Sequence, residues 1–207
     1  MNLGFPLTTE DYLFFLAELE RRLEDEAAPE GTGESTEAFL VGLRCLRQSG
    51  EAIWKLPLAA ALSSSGLLLM SRVGGYDAML YGSALISSAQ QMSQTASFDC
   101  SELYVFLDGM CRDLQIHGCS SGEKTLLGTL SAALARFQLG LERQESTDSL
   151  MCAVKAAAQS VPERAATHNK AERLAESSAS ACGEEGEAGA AIAGRWIACL
   201  CDVAASH

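Results

Sequence analysis

Two kinds of sequence pattern are missing from this chain. Its longest apolar runs, such as 67–70, are far shorter than the roughly 20 residues that a membrane-spanning helix needs. Its β-branched residues are few, and no stretch alternates cleanly between apolar and polar residues, which is the pattern of a half-buried strand. The sequence therefore excludes a membrane-spanning protein and predicts an all-α fold.

The paired spacing of metal ligands is also missing. The eight cysteines are scattered, and only Cys199 and Cys201 lie close together. With only three histidines, the chain lacks the paired Cys and His spacing of a zinc site. We therefore expect the cysteines to be reduced, and most of them to be small residues of the core.

Positive charge is scarce. The chain has 15 Lys and Arg against 27 Asp and Glu, which gives a formal net charge of -12 at pH 7. Such a surface repels nucleic-acid phosphates and anionic membranes, so neither is an expected partner. The residues after Met1 show neither the basic segment nor the long apolar segment of a secretory signal, so the expected location is the cytoplasm.

Helical periodicity is present along most of the chain. The segment Thr8-Thr-Glu-Asp11 indicates a helix start of the capping-box kind, with Asp in place of the usual Glu or Gln. Apolar residues at three- and four-residue spacing predict a helix after it and further helices over about 36–48, 59–72, 78–95, 101–116, 124–141, from 147 onward, and 189–204. Short connections favour about eight antiparallel helices in one up-and-down domain covering residues 1–207.

The stretch 163–187 has the poorest apolar pattern in the chain. It is rich in Ala, Ser and Glu, and it separates the last two predicted helices. The pattern predicts either a frayed helix followed by a long loop, or a mobile lid.

Glycine-rich turns are the most informative feature for function, and they lie near 30–36, 73–82, 118–126 and 183–190. Glycines before a helix N-terminus expose backbone N–H donors at the positive end of the helix dipole, which suits a phosphate. The alternative for each turn is a glycine that merely ends a helix. Residues 118–125 are not a P-loop, because the spacing between the glycines is wrong and no strand precedes them.

Two of these turns carry a family resemblance. Gly74-Gly-Tyr-Asp-Ala-Met-Leu-Tyr-Gly82 is similar to Gly-Gly-Ala-Ser-Gly-Pro-Leu-Tyr-Gly of the L subunits of dihydroxyacetone kinases. Gly122-Glu-Lys-Thr-Leu126, which follows Gly118, is similar to their Gly-Asp-Lys-Thr-Met motif. The resemblance spans roughly residues 8–204. It implies a barrel of antiparallel helices that binds ADP or ATP at one end and serves phosphoryl transfer to dihydroxyacetone, held covalently on a histidine of a separate K subunit.

The resemblance also implies a nucleotide site. Its residues in this chain are Ser35, Thr36, Gly74, Gly75, Tyr76, Asp77, Gly118, Leu126, Arg173, Glu187 and Gly189. Two of these assignments have alternatives. Asp77 replaces a serine of the family and is also interpreted as the N-cap of the fourth helix, and Arg173 is also interpreted as a solvated helix arginine.

The metal motif of the family is largely absent. The resemblance implies three aspartates that hold two magnesium ions under the phosphates, and here these positions are Ala27, Thr32 and Glu34. Magnesium prefers carboxylate oxygens in octahedral geometry, so Glu34 and Thr32 are at best weak ligands. Glu30 or Asp25 would supply one position if the loop shifts.

Two functional hypotheses follow from this motif. In the first, the chain is a degenerate L-type subunit with weak or absent magnesium binding that acts as a partner of a K subunit or of a phosphoprotein donor. In the second, it is an active ADP- or ATP-dependent phosphoryl-transfer subunit. Under neither hypothesis do we assign a catalytic role to any residue.

Overall fold

Nine α-helices and one π-helical segment account for most of the residues described in this computed structural model. It describes residues 6–27, 34–73, 75–92, 96–119, 126–172 and 182–206, with the backbone alone at 26–27, 34–36, 75–77, 161–172 and 182–188. The elements are α1 (Thr9–Ala27), α2 (Glu34–Gln48), α3 (Gly50–Ile53), α4 (Leu58–Leu68), the π-helical segment (Leu69–Val73), α5 (Gly75–Gln90), α6 (Cys100–Ile116), α7 (Leu126–Glu142), α8 (Thr147–Glu172) and α9 (Cys182–Ala205).

The start of α1 confirms the predicted cap. Asp11 Oδ2 accepts hydrogen bonds from the Thr8 backbone N–H at 2.7 Å and from Thr8 Oγ1 at 2.6 Å. The Asp11 N–H points back to Thr8 Oγ1 at 3.4 Å, so Asp serves in the role that Glu usually has in a capping box. An isolated antiparallel bridge between Leu7 and Phe98, with both N···O distances at 2.8 Å, fixes the residues before the helix.

The helices form the predicted up-and-down barrel. Each long helix from α4 to α9 packs against the next, and α9 also packs against α1. The α1–α2 pair is antiparallel, because Glu20 pairs with Arg47 at 2.6 Å while Glu24, further along α1, pairs with the earlier Arg44 at 2.6 Å. The junction of α1, α8 and α9 is joined by Asp202, which binds Arg22 at 2.8 Å and Lys155 at 2.6 Å.

Helices α4 and α5 cross at two glycines. A Cβ atom on Gly66 would lie 2.5 Å from the carbonyl oxygen of Gly82, and one on Gly82 would lie 2.7 Å from the carbonyl oxygen of Gly66. The two backbones are therefore in direct contact, and only glycine leaves room for this approach.

Several predicted boundaries were wrong. The third predicted helix ends in the π-helical segment rather than in regular α-helix, and the helix predicted from residue 78 begins at Gly75. The stretch 163–187 is largely helical in its described parts, because α8 continues to Glu172 and α9 begins at Cys182. The rest of that stretch, residues 173–181, lies outside the described residues.

The cysteines whose side chains are described are free thiols, as expected. Cys100, Cys111, Cys199 and Cys201 are buried, whereas Cys152 is exposed. Burial raises the pKa of the Cys111 and Cys199 thiols to about 11. None of the helices in the described part of the chain is both long enough and apolar enough to cross a membrane.

Candidate functional site

The barrel encloses a cavity of about 740 Å³. Its wall comes from α1, α2, α4, the π-helical segment, α5, α6, α7 and α9, and most of its lining side chains are aliphatic or aromatic. Phe15 and Trp196 meet edge to face across the wall, with ring centroids 5.6 Å apart, and so do Phe39 and Tyr81 at 5.3 Å. None of the described lining residues carries a positive charge that could pair with a triphosphate.

The polar groups that line the cavity do not make it a suitable place for a phosphate. The Asp11 carboxylate is engaged by Thr8 in the helix cap. Burial raises the pKa of the Tyr12 hydroxyl to about 12, although a hydrogen bond with Ser65 acts in the opposite direction. The hydroxyl of Tyr12 is therefore neutral at physiological pH, and a charged phosphate is disfavoured in the interior.

Described residues of two glycine-rich segments line this cavity. Gly189 and Leu126 both line it and are in contact, since a Cβ atom on Gly189 would lie 3.7 Å from Leu126 Cβ. Cys119, which follows Gly118 directly, lines it as well. Gly118 has φ of 81°, and an added Cβ atom there would meet no atom within 4 Å. The N–H groups of Gly118 and Cys119 donate to the carbonyl oxygens of Gln115 and Leu114, both at 3.0 Å, so Gly118 ends α6 and its own N–H is already engaged.

The Gly74 region lies at the same cavity. Val73 and Ala78, on either side of this turn, both line it. Asp77 lies in the first turn of α5, which begins at Gly75, so the prediction that Asp77 is its N-cap was wrong. The residue before this helix, Gly74, lies outside the described residues.

The other predicted nucleotide and metal positions are only partly described. The backbones of Glu34, Ser35 and Thr36 form the first turn of α2, those of Gly75 and Tyr76 start α5, and that of Glu187 lies within α9. Thr32 and Arg173 fall outside the described residues, as does Glu30. Among the described side chains, no group of three or more His, Cys, Asp or Glu is arranged to hold a metal ion.

A polar cluster that the sequence reasoning missed lies where α6 ends, next to Gly118. Asp113 is only 6% exposed, and its Oδ1 accepts a hydrogen bond from Ser87 Oγ at 2.6 Å. His117 Nδ1 lies 3.4 Å from Asp113 Oδ2. The signal in the sequence is the Asp-x-x-x-His spacing, which places both side chains on one face of a helix.

Comparison with known proteins gives one family and one solved structure of note. The sequence model of the DAK2 domain matches residues 39–199 of this chain. The crystal structure of the dihydroxyacetone kinase from C. freundii in complex with AMP-PNP and Mg2+ shares the fold, with a TM-score of 0.60 and 22% sequence identity. The match covers 94% of this chain and 32% of that kinase chain, so this chain spans about a third of that kinase. No match was found among curated proteins.

Proposed function

Because this chain belongs to the DAK2-domain family, the family of dihydroxyacetone-kinase L subunits, we propose that it is a nucleotide-binding subunit of a dihydroxyacetone-kinase type system with impaired magnesium binding. It acts as a weak or non-catalytic partner. The observation that supports this most directly is that residues within or beside three of the glycine-rich segments line the same cavity, namely Val73, Ala78, Cys119, Leu126 and Gly189.

The nucleotide is proposed to bind at the turns rather than in the cavity. The phosphates need N–H donors and a cation. The first turns of α2 and α5 contain helix N–H groups that have no acceptor within their own helix, at the positive ends of two dipoles. The apolar interior supplies no cation for the phosphates. Its Tyr12 hydroxyl is neutral and its Asp11 carboxylate is negative. The phosphates therefore lie outside the apolar cavity, on the turns.

The impaired magnesium binding rests on residue types. Ala27 has no ligand atom, Thr32 offers a neutral hydroxyl, and Glu34 offers a single carboxylate where the resemblance implies three aspartates. In a protein of net charge -12, a nucleotide without its magnesium ions meets additional repulsion. Phosphoryl transfer depends on positioning and charge neutralisation, so losing the metal ions removes most of the rate.

The proposed partners follow from the same family. A chain of this type would present ADP or ATP to a K subunit that holds dihydroxyacetone, or exchange phosphate with a phosphoprotein donor. Either arrangement would place this chain in the cytoplasm. The acidic surface argues against nucleic acid as a further partner.

Calorimetric titration of ADP and ATP, with and without magnesium, tests the proposal. We expect weak nucleotide binding that magnesium hardly improves. The triple variant Ala27→Asp, Thr32→Asp, Glu34→Asp restores the ligand set and is expected to make affinity depend on magnesium. Binding of magnesium-ADP by the natural chain with Kd below about 1 μM, roughly -8 kcal/mol, would contradict the proposal that magnesium binding is impaired.

An active phosphoryl-transfer subunit is the second candidate, and the retained Gly122-Glu-Lys-Thr-Leu126 motif favours it. The assay combines this chain with a K subunit, dihydroxyacetone, and either ATP or the phosphoprotein donor. We expect little or no turnover. Turnover within tenfold of an intact family member, lost in Lys124→Ala but kept in Arg143→Ala, would establish the active subunit instead.

A further inference from the structure

The pair of helices α4 and α5 differs from the rest of the barrel because it carries almost no charge. Residues 56–71 and 78–98 contain no Asp, Glu, Lys or Arg, although 20% of the whole chain is charged. Helices α1, α2, α6, α7, α8 and α9 each carry both acidic and basic residues, whereas α4 consists only of Leu, Ala, Ser and Gly. A helix without a charged face is normally covered on every side.

Four apolar side chains form one patch where these helices cross. Leu67 and Met70 are three residues apart and are 59% and 41% exposed. The Met70 side chain reaches across to α5, since a Cβ atom on Gly82 would lie 2.5 Å from Met70 Cγ. Met79, which is 42% exposed, and the partly exposed Ile86 lie three residues before and four residues after Gly82, on the same face of α5. We call Leu67, Met70, Met79 and Ile86 the α4–α5 patch.

The charge of the chain restricts what can cover this patch. A contiguous exposed apolar surface marks a site of interaction. A net charge of -12 disfavours an anionic membrane, and a partner that recognises charge finds none to pair with on this face. Two copies of the chain repel each other wherever their charged surfaces approach. The uncharged α4–α5 face is where they can touch without bringing those charges together.

The dimensions of the face suit a contact with itself. The 11 residues of α4 and the 5 of the π-helical segment match the 16 of α5, so each side of the hairpin is about 24 Å long. A two-fold contact joins one surface to its own copy, and equal lengths let α4 of one chain lie along α5 of the other. Two helices side by side give a footprint of roughly 480 Å², near the lower limit of about 600 Å² per partner for specific interfaces. The size therefore predicts a dimer that dissociates.

We propose that the α4–α5 patch joins two copies of this chain in a reversible two-fold dimer. Leu67 and the two methionines of one copy pack against those of the other, and methionine side chains adapt readily to such a surface. The dimer does not rest on the proposed nucleotide function, because it requires neither a nucleotide nor a K subunit.

Sedimentation equilibrium of the full chain tests the proposal. We expect the average mass to rise from 21.9 kDa towards twice that value as the concentration increases, with Kd of about 1–100 μM. Raising the salt concentration from about 50 to 500 mM should tighten the dimer, because salt screens the repulsion between two chains of charge -12. An interface built on ion pairs would weaken instead.

Variants locate the contact. Leu67→Glu and Met79→Glu are each expected to weaken the dimer by at least about tenfold, because each buries a carboxylate close to its symmetry mate. Val105→Glu on α6 is the matched control, since Val105 is 41% exposed and the added charge is the same, and it should dimerise normally. Mixing Met79→Lys with Met79→Glu should restore an association that neither variant shows alone, which requires the same face on both copies.

Four results overturn the proposal: a chain that stays monomeric at about 200 μM, a dimer that survives both Glu variants, a dimer lost equally in Val105→Glu, and a dimer that salt weakens. A monomer whose patch binds a K subunit instead would also refute it. Circular dichroism checks that the variants fold, as expected for positions on the outside of the wall. If Leu67→Glu unfolds, the mixture of the two Met79 variants decides.

Discussion

Glycine has opposite roles in the wall of this barrel and at its turn end. In the wall, Gly66 and Gly82 let α4 and α5 touch through their backbones, and an added Cβ atom on either would lie within 2.7 Å of a backbone oxygen. At the turn end, Gly118 has open space around it and φ of 81°, while an added Cβ atom on Gly189 would make ordinary contacts at 3.7–3.8 Å. Packing therefore requires glycine at 66 and 82, whereas it does not require glycine at 118 and 189.

This difference separates structural from functional glycines without any reference to related sequences. A wall glycine is explained completely by its neighbours, so it says nothing about ligands. A turn glycine that faces no neighbour either serves the backbone conformation, as φ of 81° indicates for Gly118, or leaves space for something outside the chain. Gly118 therefore has a conformational explanation of its own, and Gly189, which packing does not require, is the position that supports the proposed phosphate contacts.

The largest expected effect is in the wall, for Gly66→Ala. The new methyl group meets the Gly82 carbonyl oxygen at 2.5 Å, and a backbone atom cannot rotate away. We expect the free energy of unfolding to fall by about 2–3 kcal/mol, as for overpacked cores. Urea unfolding measures it. Gly42→Ala is the control, because its methyl group would meet only the flexible end of Leu69 at 3.1 Å, and an equal loss in both variants would refute the assignment.

The next effect is at the turn, for Gly118→Ala. No atom obstructs the methyl group, but φ of 81° is a left-handed conformation that costs a non-glycine residue about 1–2 kcal/mol. The loss is therefore expected to be conformational, and Gly118→Asn should lose less, because Asn tolerates this region better. Equal stabilities of Gly118→Asn and Gly118→Ala would show that the strain lies elsewhere.

Most of the fold could be predicted from the sequence, because helical periodicity reports directly which faces are buried. The cap at Thr8 and Asp11 and the start of α8 at Thr147 were both predicted. The π-helical segment was not, since a single wide turn of five residues is too short to be recognised from apolar spacing. The helical backbone at 163–172 agrees with the frayed-helix alternative for this stretch, because a run rich in Ala and Glu favours a helix by propensity even without an apolar stripe.

The site could be predicted only in part. Sequence motifs named the turns around Gly118 and Gly189, and the structure places the latter against Leu126 on one cavity. Motifs could not show that Asp113 is buried, because an Asp and a His four residues apart usually form an exposed pair on a helix. Burial depends on α5 packing over α6, which is a tertiary property.

A smaller effect of opposite sign is expected for Gly189→Ala. The position is helical within α9, and the methyl group fits at 3.7 Å from Leu126 Cβ, so stability should rise by about 0.5–1 kcal/mol. If a nucleotide lies against this backbone, its affinity should fall even though the protein becomes more stable. Unfolding and ADP titration on the same samples measure both, and a loss of stability would place Gly189 with the wall glycines.

The smallest expected effect concerns side-chain charges on the outside of the wall, where α1 meets α9. Hydrogen bonds from Arg21, then from Arg22, lower the pKa of Glu18 from its ordinary value of 4.5 to about 2. A carboxyl group with a lowered pKa stabilises the fold above its unfolded pKa, so this contribution is complete above about pH 4.5 and disappears as the pH falls towards 2. Because the pair is solvent-exposed, Glu18→Gln should cost only a few tenths of a kcal/mol at neutral pH.

Unfolding at a series of pH values measures this effect. The difference in the free energy of unfolding between the natural chain and the variant should shrink as the pH falls across this window. The exposed Glu10→Gln on the same helix serves as the control, and a difference that stays constant down to pH 2 would mean that packing, not charge, holds α1 to α9 at this point.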